Sequence, residues 1–204
     1  MGLIKFSVLK NPKPIISGPI KNGTNYDFST VEYKYKKKFS VQNIGEDQRL
    51  IISPPDEHIK LMLDLIKGDE NDEFSLKYIL LVSRCKNDEG RYETENCISW
   101  ETVNEFCDKY VDYLQTDGRH NFWIINETKR DLIVYDQHNV LYTYGDLMWQ
   151  LKIVDNNGYK NAKDICFPEP HGHHYHEEND NFEKDILKSY KWKYLPFEEG
   201  DYIK

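Results

Sequence analysis

The chain has 204 residues, 39% hydrophobic and 14% aromatic, with a formal net charge of −8. That length suits one large domain or two small ones, and the aromatic content excludes an intrinsically disordered chain. Charge is unevenly spread: residues 1–53 carry nine Lys/Arg against four Asp/Glu, and the remainder eighteen against thirty-one. The acidic balance argues against nucleic acid as the main partner, whose affinity comes mostly from phosphate contacts, and suits a basic protein partner.

Residues 1–52 read as strand-rich: Leu3–Leu9, a Pro/Gly turn region from Asn11 to Asn25, Thr30–Phe39 and Arg49–Ile52. The run from Tyr33 to Phe39 interleaves Lys34, Lys36, Lys37 and Lys38 with Tyr35. Such a run can bind nucleic acid, but a single strand with a solvated lysine face is the expected reading. Ser53-Pro54-Pro55-Asp56-Glu57 announces a helix, because proline and acids suit a first turn. Ile59, Met62, Leu63 and Ile66 then follow helical spacing up to Gly68. Leu76–Ser83 reads as a buried strand, and polar Lys86–Glu95 as a loop.

The clearest helix covers 100–115. Ser99 is its expected N-cap and Ile98 with Val103 its hydrophobic staple. Val103, Phe106, Cys107, Tyr110, Val111 and Leu114 form one apolar stripe, and Asp117-Gly118 predicts a left-handed glycine cap. Asn121–Asn126 and Leu132–Asp136, joined by Glu127–Asp131, read as a hairpin. A symmetric five-residue loop would place Trp123 opposite Tyr135 and His120 opposite His138. Val140–Tyr144 is a third strand, Asp146 caps a short helix ending near Asn157-Gly158, and Asp180 caps a helix carrying Phe182, Ile186 and Leu187. Tyr190–Leu195 reads as a strand or an extended arm. The expected architecture is α+β, a mainly antiparallel sheet with about four helices in a single domain over 1–204. Residues 1–52 are its strand-rich N-terminal segment and 53–204 its mixed core.

The N-terminal residues lack the apolar core of a signal peptide, and no apolar run reaches bilayer length. Cys85, Cys97, Cys107 and Cys166 form no Cys-x-x-Cys pair and are too few for a disulfide framework. Reduced thiols and a cytoplasmic protein with no membrane partner are expected, in which the sequons at Asn22 and Asn126 carry no meaning.

Chemistry concentrates in two places. Four of the seven histidines, His171, His173, His174 and His176, fall within six residues, after Pro168-Glu169-Pro170 and before Glu177-Glu178. Imidazole is the commonest protein ligand for zinc, copper and nickel. In a strand, His171 and His173 would share one face and His174 and His176 the other; Gly172 and the prolines favour a loop. The string departs from the His-x-His-x-Asp-His signature of metallo-β-lactamase-type hydrolases, since Tyr175 occupies the Asp position. A surface loop with locally bonded imidazoles competes with a metal site, zinc or another transition metal; no other cofactor is expected. The second place is the hairpin rim, where Arg119, His120, Asp136 and His138 gather as candidate binding residues. Cys97, His120 and Asp136 resemble in outline the Cys, His, Asp order of papain-like and transglutaminase-like cores. Cys97, however, lies two residues before the cap, away from the helix dipole that would activate it. No phosphate-binding glycine loop, nucleophile elbow or zincin motif is present.

The block from about Leu80 to Tyr144, with Asp117-Gly118-Arg119-His120, Tyr135-Asp136-Gln137-His138-Asn139 and Tyr142-Thr143-Tyr144-Gly145, together with Pro170–His176, resembles in general style small bacterial immunity-type proteins encoded beside polymorphic toxins. The resemblance covers half to two thirds of the chain and carries over no functional residue. It implies a cytosolic, acidic, aromatic-rich binding protein that blocks a toxin by direct contact, without enzymatic activity. The alternative is a metal-binding or thiol hydrolase built from the rim and the His171–His176 segment.

Overall fold

The structure, a computed structural model, describes residues 5–14, 26–32, 34–66, 68–165 and 171–201. Cys166, the Asn22 sequon, Pro168–Pro170 and the turn region from 15 onward lie outside the described residues. In chain order the elements are β1 (Phe6–Pro14), β2 (Tyr26–Glu32), β3 (Lys38–Ile44), β4 (Asp47–Ser53), α1 (His58–Ile66), β5 (Phe74–Leu80), β6 (Gly90–Thr94) and α2 (Trp100–Thr116). There follow β7 (His120–Asn126), β8 (Asp131–Tyr135), β9 (Leu141–Tyr144), α3 (Leu147–Asn156), β10 (Lys160–Asn161), β11 (His171–His173), α4 (Asp180–Ser189) and β12 (Trp192–Leu195). A 3-10 turn over Glu177–Asn179 leads into α4.

The architecture is α+β, as expected. Among the described residues one nine-stranded sheet runs β10-β3-β4-β9-β8-β7-β5-β6-β12, antiparallel except for the β10–β3 pair. A second, three-stranded antiparallel sheet runs β11-β1-β2. The strand-rich N-terminal segment therefore divides: β3 and β4 join the main sheet, while β1 pairs with both β2 and the histidine strand β11.

The four α-helices among the described residues contribute to one core cluster against one face of the main sheet. Ile59, Met62 and Ile66 of α1, Val103, Phe106 and Leu114 of α2, Val154 of α3 and Ile186 of α4 meet Leu50, Leu76, Phe122 and Ile133. In α2 Ser99 Oγ accepts from Thr102 N, and Ile98 forms a β-bridge with Phe74, so the entry to the helix is tied to the sheet. The buried stripe takes in Tyr113, while Val111 only lines its margin. The helix ends without a left-handed residue: Asp117 is extended, with φ −110° and ψ 126°. Gly118 serves close approach instead, because a Cβ there would lie 2.6 Å from the Lys5 carbonyl oxygen.

The hairpin register differs by one from the symmetric five-residue expectation. Asn126 pairs with Asp131, leaving a four-residue loop, and Phe122 rather than Trp123 faces Tyr135. Two contacts favour the tighter loop: Asn126 Oδ1 accepts from Lys129 N, and Asp131 Oδ1 accepts from Asp146 N. Since side chains alternate across a strand, Phe122 and Tyr135 turn to the helical core, and Trp123 turns with Val134 to the opposite face. The basic run is not one strand. Residues 34–37 connect β2 to β3, with Tyr35 and Phe39 buried and Lys34, Lys36, Lys37 and Lys38 exposed.

Strand β6 arises where polarity predicted a loop. Its Arg91 sits under the chain end, held by Glu93 at 3.0 Å and Glu198 at 2.7 Å, so its charge is paired within a strand near the sheet edge. The terminal aromatic stretch completes that edge as β12. Asp180 does not cap α4. Asn179 precedes the helix without a side-chain cap bond, and the Asp180 carboxylate receives Arg119 and Arg84 instead.

Candidate metal centre

Backbone bonds pin the end of the histidine strand to Lys5, just before β1, and to Gly118, in the turn that leads into β7. His174 N donates to the Lys5 carbonyl at 2.7 Å, and Gly118 N donates to the His174 carbonyl at 2.9 Å. β1 pairs Phe6 with His173 and Val8 with His171. Extended backbone then sorts the imidazoles by parity. His171 and His173 turn to one side and meet His138. His174 and His176 stack on each other at 5.9 Å, nearly parallel at 14°.

His138 lies in the turn between β8 and β9, which Asn139 makes with φ 61° while its side chain accepts from Tyr135 OH. Asp136 organises that turn. Its Oδ1 accepts from the backbone N–H of His138 and of Val140, each at 2.9 Å, and its Oδ2 lies 3.0 Å from His138 Nδ1. The carboxylate thus holds the proton on Nδ1 and leaves Nε2 as the basic nitrogen. The ring centroids of His138, His171 and His173 are 5.0, 5.0 and 5.2 Å apart, and one nitrogen from each lies within 4.8 Å of the others. Ligands on a tetrahedral zinc stand about 3.3 Å apart, so nitrogens within 4.8 Å of one another would have to draw closer to share one ion. Burial, and then the neighbouring His138 and His171, push His173 down to about 4. The ring is therefore neutral at neutral pH, as a metal ligand must be.

Behind the turn lies Lys5, fully buried. Its Nζ donates to the Asp136 carbonyl at 3.2 Å and sits 3.8 Å over the Tyr135 ring. Burial pushes it down to about 7, against the pull of Asp136 and Asp117. His58 also stacks on Tyr135, at 5.5 Å; burial first, and the Lys5 charge second, push it down to about 3. His120 is wholly buried, 4.8 Å from the Tyr113 ring and 5.3 Å from Tyr78, and burial holds it well below its ordinary value. These rings are neutral in the fold but take up protons when unfolded. Stability therefore falls as pH drops below about 6.5, by about 1.4 kcal/mol per pH unit for His58 alone down to about 3. Urea unfolding from neutral pH down to about pH 5 is expected to show this fall, and His58→Phe to make it shallower, His120 still contributing; a pH-independent midpoint would contradict it.

Arg119 performs a separate task. Fully buried, it donates from Nε and Nη2 to the Asp117 carboxylate at 2.8 and 3.0 Å, and from Nη1 to Glu183 at 2.7 Å and to Asp180 at 3.0 Å. Its Nη2 also donates to the His176 carbonyl, while Asp117 Oδ2 accepts from His176 N. The cluster clamps the end of the histidine segment between α2 and α4. Burial would raise the Glu183 carboxyl, but bonds from Ser83, Arg119 and Asn87 hold it below its ordinary value.

The structure thus brings Asp136 and His138 together with His171 and His173, and leaves His174 and His176 outside that group. Arg119 and His120 are buried, and they present no surface to a partner. Cys97 is exposed beside Glu73 and Glu127, and loss of solvent followed by those carboxylates raises its pKa. It lies near the Asn126 end of β7, whereas His120 occupies the other end, about 20 Å along the strand. The Cys97, His120 and Asp136 set is therefore not assembled. Lys5, His58 and Glu183 were not singled out from the sequence, and Asp117 was read only as part of a helix stop; the opposite charges of Asp117 and Arg119, two residues apart, are the local signal of their bridge.

Fold and site together define an α+β protein with three converging imidazoles backed by a carboxylate. Compared with known proteins, the chain matches no family model, no curated protein and no solved structure at a significant level. Among the described residues no helix is long and apolar enough to cross a membrane.

Proposed function

We propose that this protein binds a divalent transition metal, zinc foremost, through His138, His171 and His173, with Asp136 orienting His138. The observation that carries the reading is the convergence of three imidazole nitrogens within 4.8 Å from two separate sheets, one of them held in tautomer by a carboxylate. All-nitrogen donor sets suit zinc, copper and nickel, and not magnesium or calcium.

The test is metal titration of tag-free protein with elemental analysis after dialysis. One zinc per chain is expected, lost in His138→Ala and in the His171→Ala/His173→Ala pair, and kept in His174→Ala/His176→Ala. Equal retention by all of these variants would sink the reading.

A toxin-neutralising role, which the resemblance to immunity-type proteins implies, draws on the net charge of −8. Since Arg119 and His120 are buried, its docking surface would use other groups. Protection of cells that co-express the toxin is its test.

A further inference from the structure

A lysine buried without a carboxylate costs more than an apolar side chain of the same length. Lys5 is fully buried and forms no ion pair among the described residues. Its Nζ meets the Asp136 carbonyl at 3.2 Å and the Tyr135 ring at 3.8 Å. Both groups hold the turn that carries His138. The Asp136 carbonyl also accepts from Asn139 N at 3.2 Å. Tyr135 OH donates to Asn139 Oδ1 at 2.6 Å, which fixes the left-handed residue next to His138. The backbone of Lys5 serves the other half of the centre. Its carbonyl accepts from His174 N at 2.7 Å, and the next residue, Phe6, pairs with His173. Gly118, with no Cβ to strike that carbonyl, donates in turn to the carbonyl of His174. One residue thus grips both ligand-bearing segments, His171–His173 by its main chain and the His138 turn by its side chain.

We propose that Lys5 is the positioning residue of the metal centre, its side chain setting the gap between His138 and the His171/His173 pair. The inference rests on the metal reading above and adds to it the residue that adjusts the fit. The three nitrogens, within 4.8 Å of one another, draw closer when they share one ion, so the gap controls affinity. Methionine is nearly as long as lysine and packs without burying a charge, but it offers the Asp136 carbonyl no N–H. Charge alone would act in the opposite sense, because an ammonium near a divalent ion opposes its binding. Positioning does not need the charge, since a neutral Nζ–H donates to the same carbonyl. The sign of the change in Lys5→Met therefore separates the two roles.

The experiment measures Lys5→Met in the full chain twice, by competition of zinc with a chromophoric chelator and by urea unfolding of the metal-free chain in EDTA. Zinc affinity is expected to fall about 10–100-fold. The urea midpoint of the metal-free chain is expected to stay or rise, because a buried cation is gone and the Asp136 carbonyl keeps Asn139 N as its donor. A residue that served the fold alone would lower affinity and metal-free stability together. That outcome, or a zinc affinity unchanged or tighter, would overturn the proposal. If Lys5→Met does not fold, Tyr135→Phe decides in its place. It keeps the ring beneath Lys5, removes only the hydroxyl bond to Asn139 and should also weaken zinc; unchanged affinity there overturns the proposal. A native chain that takes up no zinc would overturn the metal reading and this inference with it, whereas equal binding by native and Lys5→Met chains overturns the positioning role alone.

Discussion

Arg119→Ala is expected to cost about 3–5 kcal/mol of folding stability, among the largest effects of any single substitution in this chain. The reason is the company the guanidinium keeps. Asp117 and Glu183 are fully buried, and Asp180 is largely so. Removing the one cation that touches all three leaves buried carboxylates facing one another. Arg119→Lys should restore little, since a single ammonium cannot address Asp117 by two nitrogens while reaching Glu183 and the His176 carbonyl. Neutralising the cluster as a whole, with Arg119→Met, Asp117→Asn and Glu183→Gln together, should be milder than Arg119→Ala alone, because no uncompensated charge remains in the interior. Urea unfolding measures all three. A loss below about 1 kcal/mol for Arg119→Ala, the range of an exposed ion pair, would show that the cluster opens to water.

Asp136→Asn is expected to weaken zinc binding about 10–100-fold while leaving the fold in place. An asparagine oxygen can still accept the backbone N–H of His138 and Val140, so the turn survives. Its amide nitrogen then faces His138 Nδ1 as a donor. The imidazole must answer with a lone pair on Nδ1, which moves its proton to Nε2, the nitrogen that Asp136 would otherwise leave as the ligand for a metal. Competition with a chromophoric chelator reads the affinity, and nitrogen chemical shifts of His138 read the tautomer. Unchanged affinity with an unchanged tautomer would remove Asp136 from the site. An intact site would also make thermal stability depend on zinc, by about 4 kcal/mol when free metal exceeds Kd a thousandfold.

Much of the fold was legible because local rules and tertiary demands agree. Ser99 caps α2 as its spacing predicts, Asp146 caps α3, and the apolar periodicity of residues 59–66 places α1. Misreadings fall where a long-range partner overrides a local signal. β6 looked like a loop because Arg91 and Glu93 are charged, yet both are satisfied by neighbours distant in sequence. Asp180 looked like a cap because aspartate commonly is one, yet Arg119 and Arg84 claim it. Gly118 looked like a left-handed terminus, and it is a point of close backbone approach to Lys5.

The candidate site divides along the same line. Sequence by itself determined that the chain is α+β, that four histidines crowd one segment, and that strand parity would pair His171 with His173. Those are consequences of residue type and of a two-residue period. Only the tertiary structure decided which third imidazole joins them. His120 and His138 flank the same hairpin, but alternation sends His120 between Tyr78 and Tyr113 in the core and leaves His138 in a turn beside Asp136. The metal reading therefore depends on the docking of β11 beside that turn, through backbone bonds from His174 to Lys5 and Gly118, contacts between segments distant in sequence that no local pattern encodes.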